Sequence, residues 1–130
     1  MAYLGRVRRW DTFWADLEPS VGSEQGGDSR PVLVVSNDGF NDAFDVVTVL
    51  PLTRAEGKQR TVYPFEVLLE ESMAGNTWDS IVMPQQIRTI SKKRLLEPIG
   101  QLSASAIQTT IENRMLEHLG IEFEAEEGQY

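Results

Sequence analysis

The sequence predicts a mainly β domain of the α+β class, in which a small barrel-like sheet is closed by one C-terminal helix. Three observations carry this. Short apolar runs recur at roughly 8–12-residue spacing, separated by Gly, Pro, Asn and Asp, as short antiparallel strands do. Two of these runs, residues 32–35 and 45–52, are nearly continuous in apolar residues, the pattern of strands buried on both faces. Near the end of the chain Ile107, Ile111, Met115 and Leu119 recur every four residues, with Leu116 widening the stripe, which is the signature of a helix with one buried face.

The first strand spans residues 5–17, with Val7, Trp10, Phe13, Trp14 and Leu17 as its apolar positions. Its alternation is broken, so a bulge or bend is expected. Pro19 ends it, and a loop rich in Gly and Ser runs to Arg30. Pro31 opens the first buried run, and Asn37-Asp38-Gly39 and Asn41-Asp42 read as turns before the second. A polar loop at 54–58 leads to strands at 63–69 and 78–82, which are separated by a loop holding Gly75-Asn76. Residues 85–90 read as a further strand, 92–96 as a turn or 3-10 segment before Pro98, and 99–102 as a short closing strand. Ser103 or Ser105 stands where an N-cap is needed, and Gly120 where a left-handed C′ residue ends the helix. Residues 1–123 are expected to form a single domain, with no repeat and no linker, and the acidic residues 124–130 a frayed tail.

A chain of 130 residues is long enough for one domain with a real core. It has no cysteine, which excludes disulfides and thiolate zinc sites and is compatible with a reducing cytoplasm. Arg6, Arg8, Arg9, Asp11 and Asp16 interrupt the N-terminal segment, so no hydrophobic signal core is present, and no apolar run approaches the roughly 20 residues of a membrane span. A cytoplasmic protein without membrane contact is expected.

The formal net charge is -8, which by itself argues against a nucleic-acid partner. Its distribution argues otherwise. Glu122, Glu124, Glu126 and Glu127 lie in the last nine residues, and without them the net charge is halved. The basic residues cluster as Arg6, Arg8 and Arg9, as Arg54, Lys58 and Arg60, and as Arg88, Lys92, Lys93 and Arg94. A local basic face can bind phosphates on an acidic protein; solvated surface charge is the plainer alternative.

The segment Ser23-Glu24-Gln25-Gly26-Gly27-Asp28-Ser29-Arg30-Pro31 brings a carboxylate and a guanidinium to the edge of a buried strand. Pro31 biases Arg30 toward extended geometry. An arginine there can bind a phosphate bidentately and stabilise charge growing on phosphorus, or it can pin the carbonyls of the loop. Thr53 ends the second buried strand, where a hydroxyl can hold a phosphate oxygen or satisfy nearby backbone. Glu24, if drawn to Arg30, could move protons; as a loop glutamate it could equally stay hydrated. His118 is the sole histidine, beside the core stripe of the final helix, and a surface role is expected. Trp10, Trp14 and Trp78 could stack on bases, with core or dimer-interface packing expected for at least two of them. Metal-binding, phosphate-loop and nucleophile-elbow signatures are absent from the sequence.

From about Arg9 to Gly120 the chain resembles the MazF/PemK toxins, the endoribonucleases of toxin–antitoxin modules. Four motifs carry the resemblance in order: Asp11-Thr12-Phe13-Trp14-Ala15-Asp16-Leu17-Glu18-Pro19; Gly22-Ser23-Glu24-Gln25-Gly26-Gly27 through Arg30-Pro31-Val32-Leu33-Val34-Val35-Ser36-Asn37; Val49-Leu50-Pro51-Leu52-Thr53; and Tyr63-Pro64-Phe65-Glu66-Val67 with Gln86-Ile87-Arg88-Thr89-Ile90. The resemblance implies an SH3-like barrel of the CcdB/PemK type and a homodimer. It also implies a cofactor-free, metal-independent ribonuclease on single-stranded RNA, in which the 2′-hydroxyl attacks its own phosphate to leave 2′,3′-cyclic phosphate and 5′-hydroxyl ends. Arg30 would stabilise the phosphorane, Thr53 would fix a nonbridging oxygen and Glu24 would help remove the 2′ proton. Ser23, Gln25, Gly26, Arg54, Gln86 and Arg88 would contact the RNA. A cognate antitoxin of the MazE type would occupy the same groove with an acidic, partly disordered tail. Two alternatives share the resemblance: a non-enzymatic toxin acting on DNA gyrase, as the related CcdB toxins do, and a catalytically degenerate homologue that only binds RNA or antitoxin. Three departures stand out. A family glycine is replaced by Trp10, one extra residue lies between Gly27 and Arg30, and Gln85 stands where an acid often precedes Gln86.

Overall fold

The computed structural model describes residues 2–55 and 61–123. Seven strands and two helices follow in the order β1 (Asp11–Ala15), β2 (Arg30–Val34), α1 (Asp38–Ala43), β3 (Val46–Arg54), β4 (Val67–Leu69), β5 (Ser80–Val82), β6 (Arg88–Ser91), β7 (Leu95–Gln101) and α2 (Ser105–His118). All pairings are antiparallel. The nine-residue β3 is the hinge of the barrel: its first half pairs with β6, its last residues pair with β5, and β2 runs along its other edge. This is the expected mainly β barrel with a C-terminal helix.

The continuous run at 32–35 is buried because each face of the sheet has its own core. Leu33 and Val35 join Leu50, Leu52, Leu69, Leu102 and Ile111 under α2. Val32 and Val34 join Phe13, Leu17, Val47, Ile90 and Leu95 on the opposite face. α2 contributes Ile111, fully buried, with Ile107 and Met115 half-buried, while Leu119 at the end of the predicted stripe is exposed. Gly120, at φ +70°, ends α2 in the left-handed conformation, with its N–H to the Glu117 carbonyl and the Ile121 N–H to that of Leu116. The tail expected at 124–130 lies outside the described residues.

Several boundaries differ from the expectation. The cap of α2 is Ala104, without a side-chain bond, because the helix begins one residue after the first candidate serine could serve. Asp38–Ala43 form the six-residue α1 instead of two turns; Asn37 caps it by accepting from the Phe40 N–H, the usual N-cap arrangement. Tyr63 to Glu66 close a turn, so only Val67–Leu69 is strand. Pro84–Gln86 is a 3-10 turn ahead of β6, whereas Lys92–Arg94 is the 3-10 segment expected. β7 begins at Leu95 and carries Pro98 within it, opposite Phe13.

The expected bulge exists, but in β7 instead of β1: Leu96 and Glu97 stand opposite Trp14 alone. The N-terminal segment is not strand because Trp10 turns the chain at φ +75°. Its N–H bonds to the Val34 carbonyl and its carbonyl accepts from Leu102, while its ring joins the core under α2. A left-handed conformation costs a non-glycine residue about 1–2 kcal/mol, and deleting a buried large aromatic costs about 3–5 kcal/mol. Packing therefore outweighs strain. Trp10→Gly is expected to lower stability by roughly 1–4 kcal/mol in urea denaturation, although the backbone itself favours glycine there.

Among the described residues, no helix is long and apolar enough to cross a membrane.

Candidate functional site

Continuing the β2–β3 register, in which Val32 stands opposite Pro51, sets Arg30 opposite Thr53. Directly opposed residues share a sheet face, so the two candidates meet at the strand ends where the Gly-rich loop enters. Arg30 is partly buried and donates from Nε to the Gly26 carbonyl at 2.7 Å and from Nη1 to the Leu52 carbonyl at 3.2 Å. With its amide oxygen turned to the guanidinium, Gln25 accepts from Nε and Nη2 at 3.1 Å each. Arg30 thus does pin a loop carbonyl and one of β3, yet among the described residues one N–H on Nη1 and one on Nη2 are left for a ligand. Burial pushes its pKa down from the ordinary value. Thr53 is half-buried and its hydroxyl makes no hydrogen bond among the described residues.

The loop is held from both sides. Gln86 accepts from the Gln25 N–H at 3.0 Å and donates to the Ser23 carbonyl at 3.1 Å, so this substrate-binding candidate is a clamp on two others. Glu18 accepts from the Gly27 N–H at 2.6 Å and from both the N–H and the hydroxyl of Ser20 at 3.0 Å. A Cβ at Gly26 would lie 2.5 Å from that carboxylate and 2.2 Å from the Ser20 hydroxyl, which keeps the position bare. Arg88 donates to the Leu17 carbonyl at 3.4 Å, and Arg94 to the carbonyls of Asp16 and Glu18. Glu24 is exposed and accepts from the Val21 N–H at 3.0 Å; no ion pair joins it to Arg30 among the described residues.

Glu18 was not among the sequence candidates, because an acid beside Pro19 looks like any turn residue. The Gly27 N–H, followed by the Ser20 hydroxyl, holds its carboxyl below the usual glutamate value. The anchorage is therefore complete above the ordinary glutamate range and is lost as pH falls through the lowered value. Amide-exchange protection at Gly27 is expected to drop in that acid window in the wild type and to show no such step in Glu18→Gln.

The basic clusters have separate fates. Arg6 pairs with Asp42 at 3.0 Å and Arg9 with Glu112 at 2.8 Å, which is a structural use of charge. Lys92 donates to the Asn41 carbonyl. Arg54 stacks on Trp78, its guanidinium carbon 3.9 Å from the ring centre, while Lys58 and Arg60 lie outside the described residues. His118 is exposed on α2. Among the described residues no group of His, Cys, Asp or Glu side chains could hold a metal ion. Gln85, where an acid often stands in the toxins this chain resembles, donates to the buried Glu66 carboxylate at 2.7 Å; an acid there would set two carboxylates together.

Trp10 is buried, but Trp14 and Trp78 are 40% and 45% exposed. Both line a cleft of about 490 Å³ whose rim includes Arg30 and Arg54.

Endoribonuclease MazF9 of Mycobacterium tuberculosis is 41% identical over 106 residues, covering 78% of this chain and 86% of its own length. Endoribonuclease MazF of Staphylococcus epidermidis is 40% identical over 99 residues, covering 76% and 80%. The crystal structure of MazF from Deinococcus radiodurans superposes with a TM-score of 0.73 at 25% identity, over 90% of this chain and 99% of that one. The family model of the PemK-like, MazF-like toxins of type II toxin–antitoxin systems matches residues 8–118. Motif order, barrel and these likenesses agree: the chain belongs to the PemK-like, MazF-like toxin family.

Proposed function

We propose that this chain is a sequence-selective, metal-independent endoribonuclease toxin that cuts single-stranded RNA in the cytoplasm, works as a homodimer and is neutralised by a cognate antitoxin. The observation that carries the reading is Arg30 bonded to the Leu52 carbonyl, next to Thr53, with guanidinium N–H groups unused among the described residues at the mouth of a clamped loop. The ribose 2′-oxygen attacks the adjacent phosphorus and the 5′-oxygen of the next nucleotide leaves. One proton is lost at the first oxygen and one gained at the second, so no water is consumed and the nucleophile comes with the substrate. Arg30 takes the charge that develops on the phosphorane oxygens, where a preorganised donor is most effective. Arg30 is also placed to donate the proton that the leaving oxygen gains. Thr53 holds a nonbridging oxygen. Glu24 takes the 2′ proton once its carboxylate turns away from the Val21 N–H.

The gyrase reading has no observation in its favour, since the relatives above bear the name endoribonuclease. The test is cleavage of a long mixed-sequence RNA by purified protein in excess EDTA. Discrete cuts with 5′-hydroxyl ends are expected. A folded, antitoxin-free protein that leaves the RNA intact would overturn the reading.

A further inference from the structure

Glu18 is exposed at the bend that follows β1, yet its carboxylate meets three donors. One oxygen accepts from the N–H and the hydroxyl of Ser20, and the other accepts from the Gly27 N–H at 2.6 Å. Fixing a long side chain costs conformational entropy, which charge-assisted bonds of this length offset. The bend itself is braced. Arg94 donates to the carbonyls of Asp16 and Glu18, and its own carbonyl accepts from the Asp16 N–H. Arg88 of β6 donates to the Leu17 carbonyl. The carboxylate therefore stands on a framework that distant strands build.

What it holds is a peptide plane. The unit joining Gly26 to Gly27 presents its N–H to Glu18 and its carbonyl to Arg30, whose Nε donates to it at 2.7 Å. A trans peptide is planar, so its N–H and carbonyl point in opposite directions and fixing one aims the other. Glycine on both sides makes such a plane easy to flip, since neither residue has a Cβ to resist the change of backbone angles. A flip would replace the acceptor at Arg30 by an N–H, set against a guanidinium that can only donate. The Leu17 N–H adds a second hold by donating to the Gly27 carbonyl at 2.8 Å. Among the described residues, two of the three acceptors around the guanidinium belong to this loop, the Gly26 carbonyl and the Gln25 amide oxygen. Only the Leu52 carbonyl belongs to a strand.

We propose that Glu18 is a positioning residue for Arg30: by holding the Gly26–Gly27 peptide in one orientation, it keeps the guanidinium where the scissile phosphate must meet it. Glu18 itself touches no substrate group, and its role rests on the reading of Arg30 in RNA cleavage, which it deepens. It is distinct from Glu24, whose carboxylate rests on the Val21 N–H.

The test reads the arginine directly. Protein carrying isotope-labelled arginine gives an Nε–H signal for Arg30 in NMR spectra, assigned by its loss in Arg30→Lys. Solvent exchange of that proton is expected to quicken roughly tenfold or more in Glu18→Ala, as the bond to the Gly26 carbonyl loses its fixed acceptor. With RNA, kcat is expected to fall roughly ten- to hundredfold in the same variant, the cost of a misplaced group, while KM does not rise. Glu18→Gln should recover most of both, because its amide oxygen can still accept from the Gly27 N–H while the Ser20 hydroxyl accepts from its nitrogen. Unchanged Nε–H exchange in a folded Glu18→Ala would overturn the proposal, whatever happens to cleavage. So would quickened exchange at full kcat, or a loss that Glu18→Gln shares in full. Quickened exchange in a protein that cuts no RNA even as wild type would keep the peptide link and remove the nuclease reading.

Discussion

Replacing Arg30 by alanine is expected to lower the RNA cleavage rate by roughly 10²–10³-fold, the usual loss for one preorganised donor at a developing oxyanion. The structure adds a complication, because the same guanidinium also holds the Gly26 and Leu52 carbonyls. Loss of two bonds from a charged donor should lower stability by about 2–4 kcal/mol, at roughly 1.5–3 kcal/mol each, with solvent taking over at the half-buried Gly26 but not at the buried Leu52. Arg30→Lys separates the two roles. A lysine keeps the charge but loses the planar fork that reaches two carbonyls and a phosphate together. It is expected to recover part of the stability and little of the rate. Thr53→Ala should cost less than Arg30→Ala, because a neutral donor is lost and no loop carbonyl depends on it. Single-turnover rates at saturating RNA, read beside urea melts, check this. A full-rate Arg30→Ala would place the chemistry elsewhere.

Asn76→Ala is the substitution expected to damage the framework most per atom removed. One amide satisfies the carbonyls of Leu69, Glu70 and Trp78 and the Ala74 N–H. Each stranded, partly buried group costs about 1–3 kcal/mol, discounted where water reaches it, so a loss of roughly 2–4 kcal/mol is expected. Asn76→Asp is the sharper variant. It keeps the acceptor for Ala74 but turns a carboxylate oxygen toward three carbonyls, and should be at least as destabilising despite its identical shape. Both variants should also loosen Trp78, which is read as faster collisional quenching of its fluorescence. A stable Asn76→Asp would show that the amide is not oriented as described.

What could be read beforehand, and what could not, divides along physical lines. The buried runs of β2 and β3 and the stripe of α2 were legible because apolar periodicity is local and strong. Short elements were harder. Asn37, Asp38 and Gly39 serve a turn as readily as the first turn of a six-residue helix, and only the Asn37 cap on Phe40 decides. Gln85 and Gln86 alternate well enough for a strand, but Pro84 starts a 3-10 turn there. At the site, Arg30 and Thr53 were visible through their motifs. The work of Glu18 and Gln86 was not, since Gln86 acts on backbone groups of a loop distant in sequence and Glu18 acts across the fold of that same loop.

By itself, then, the sequence determined a mainly β fold with a C-terminal helix, the family motifs and the two residues at the heart of the proposed chemistry. These depend on neighbours along the chain, where propensity and pattern are written. Only the tertiary structure decided that Arg30 is pinned as well as poised and that Glu24 rests on Val21. It also decided that two tryptophans 64 residues apart, Trp14 and Trp78, line one cleft. Such facts depend on the register between strands and on a bulge opposite Trp14, where a shift of one residue moves a side chain to the other face.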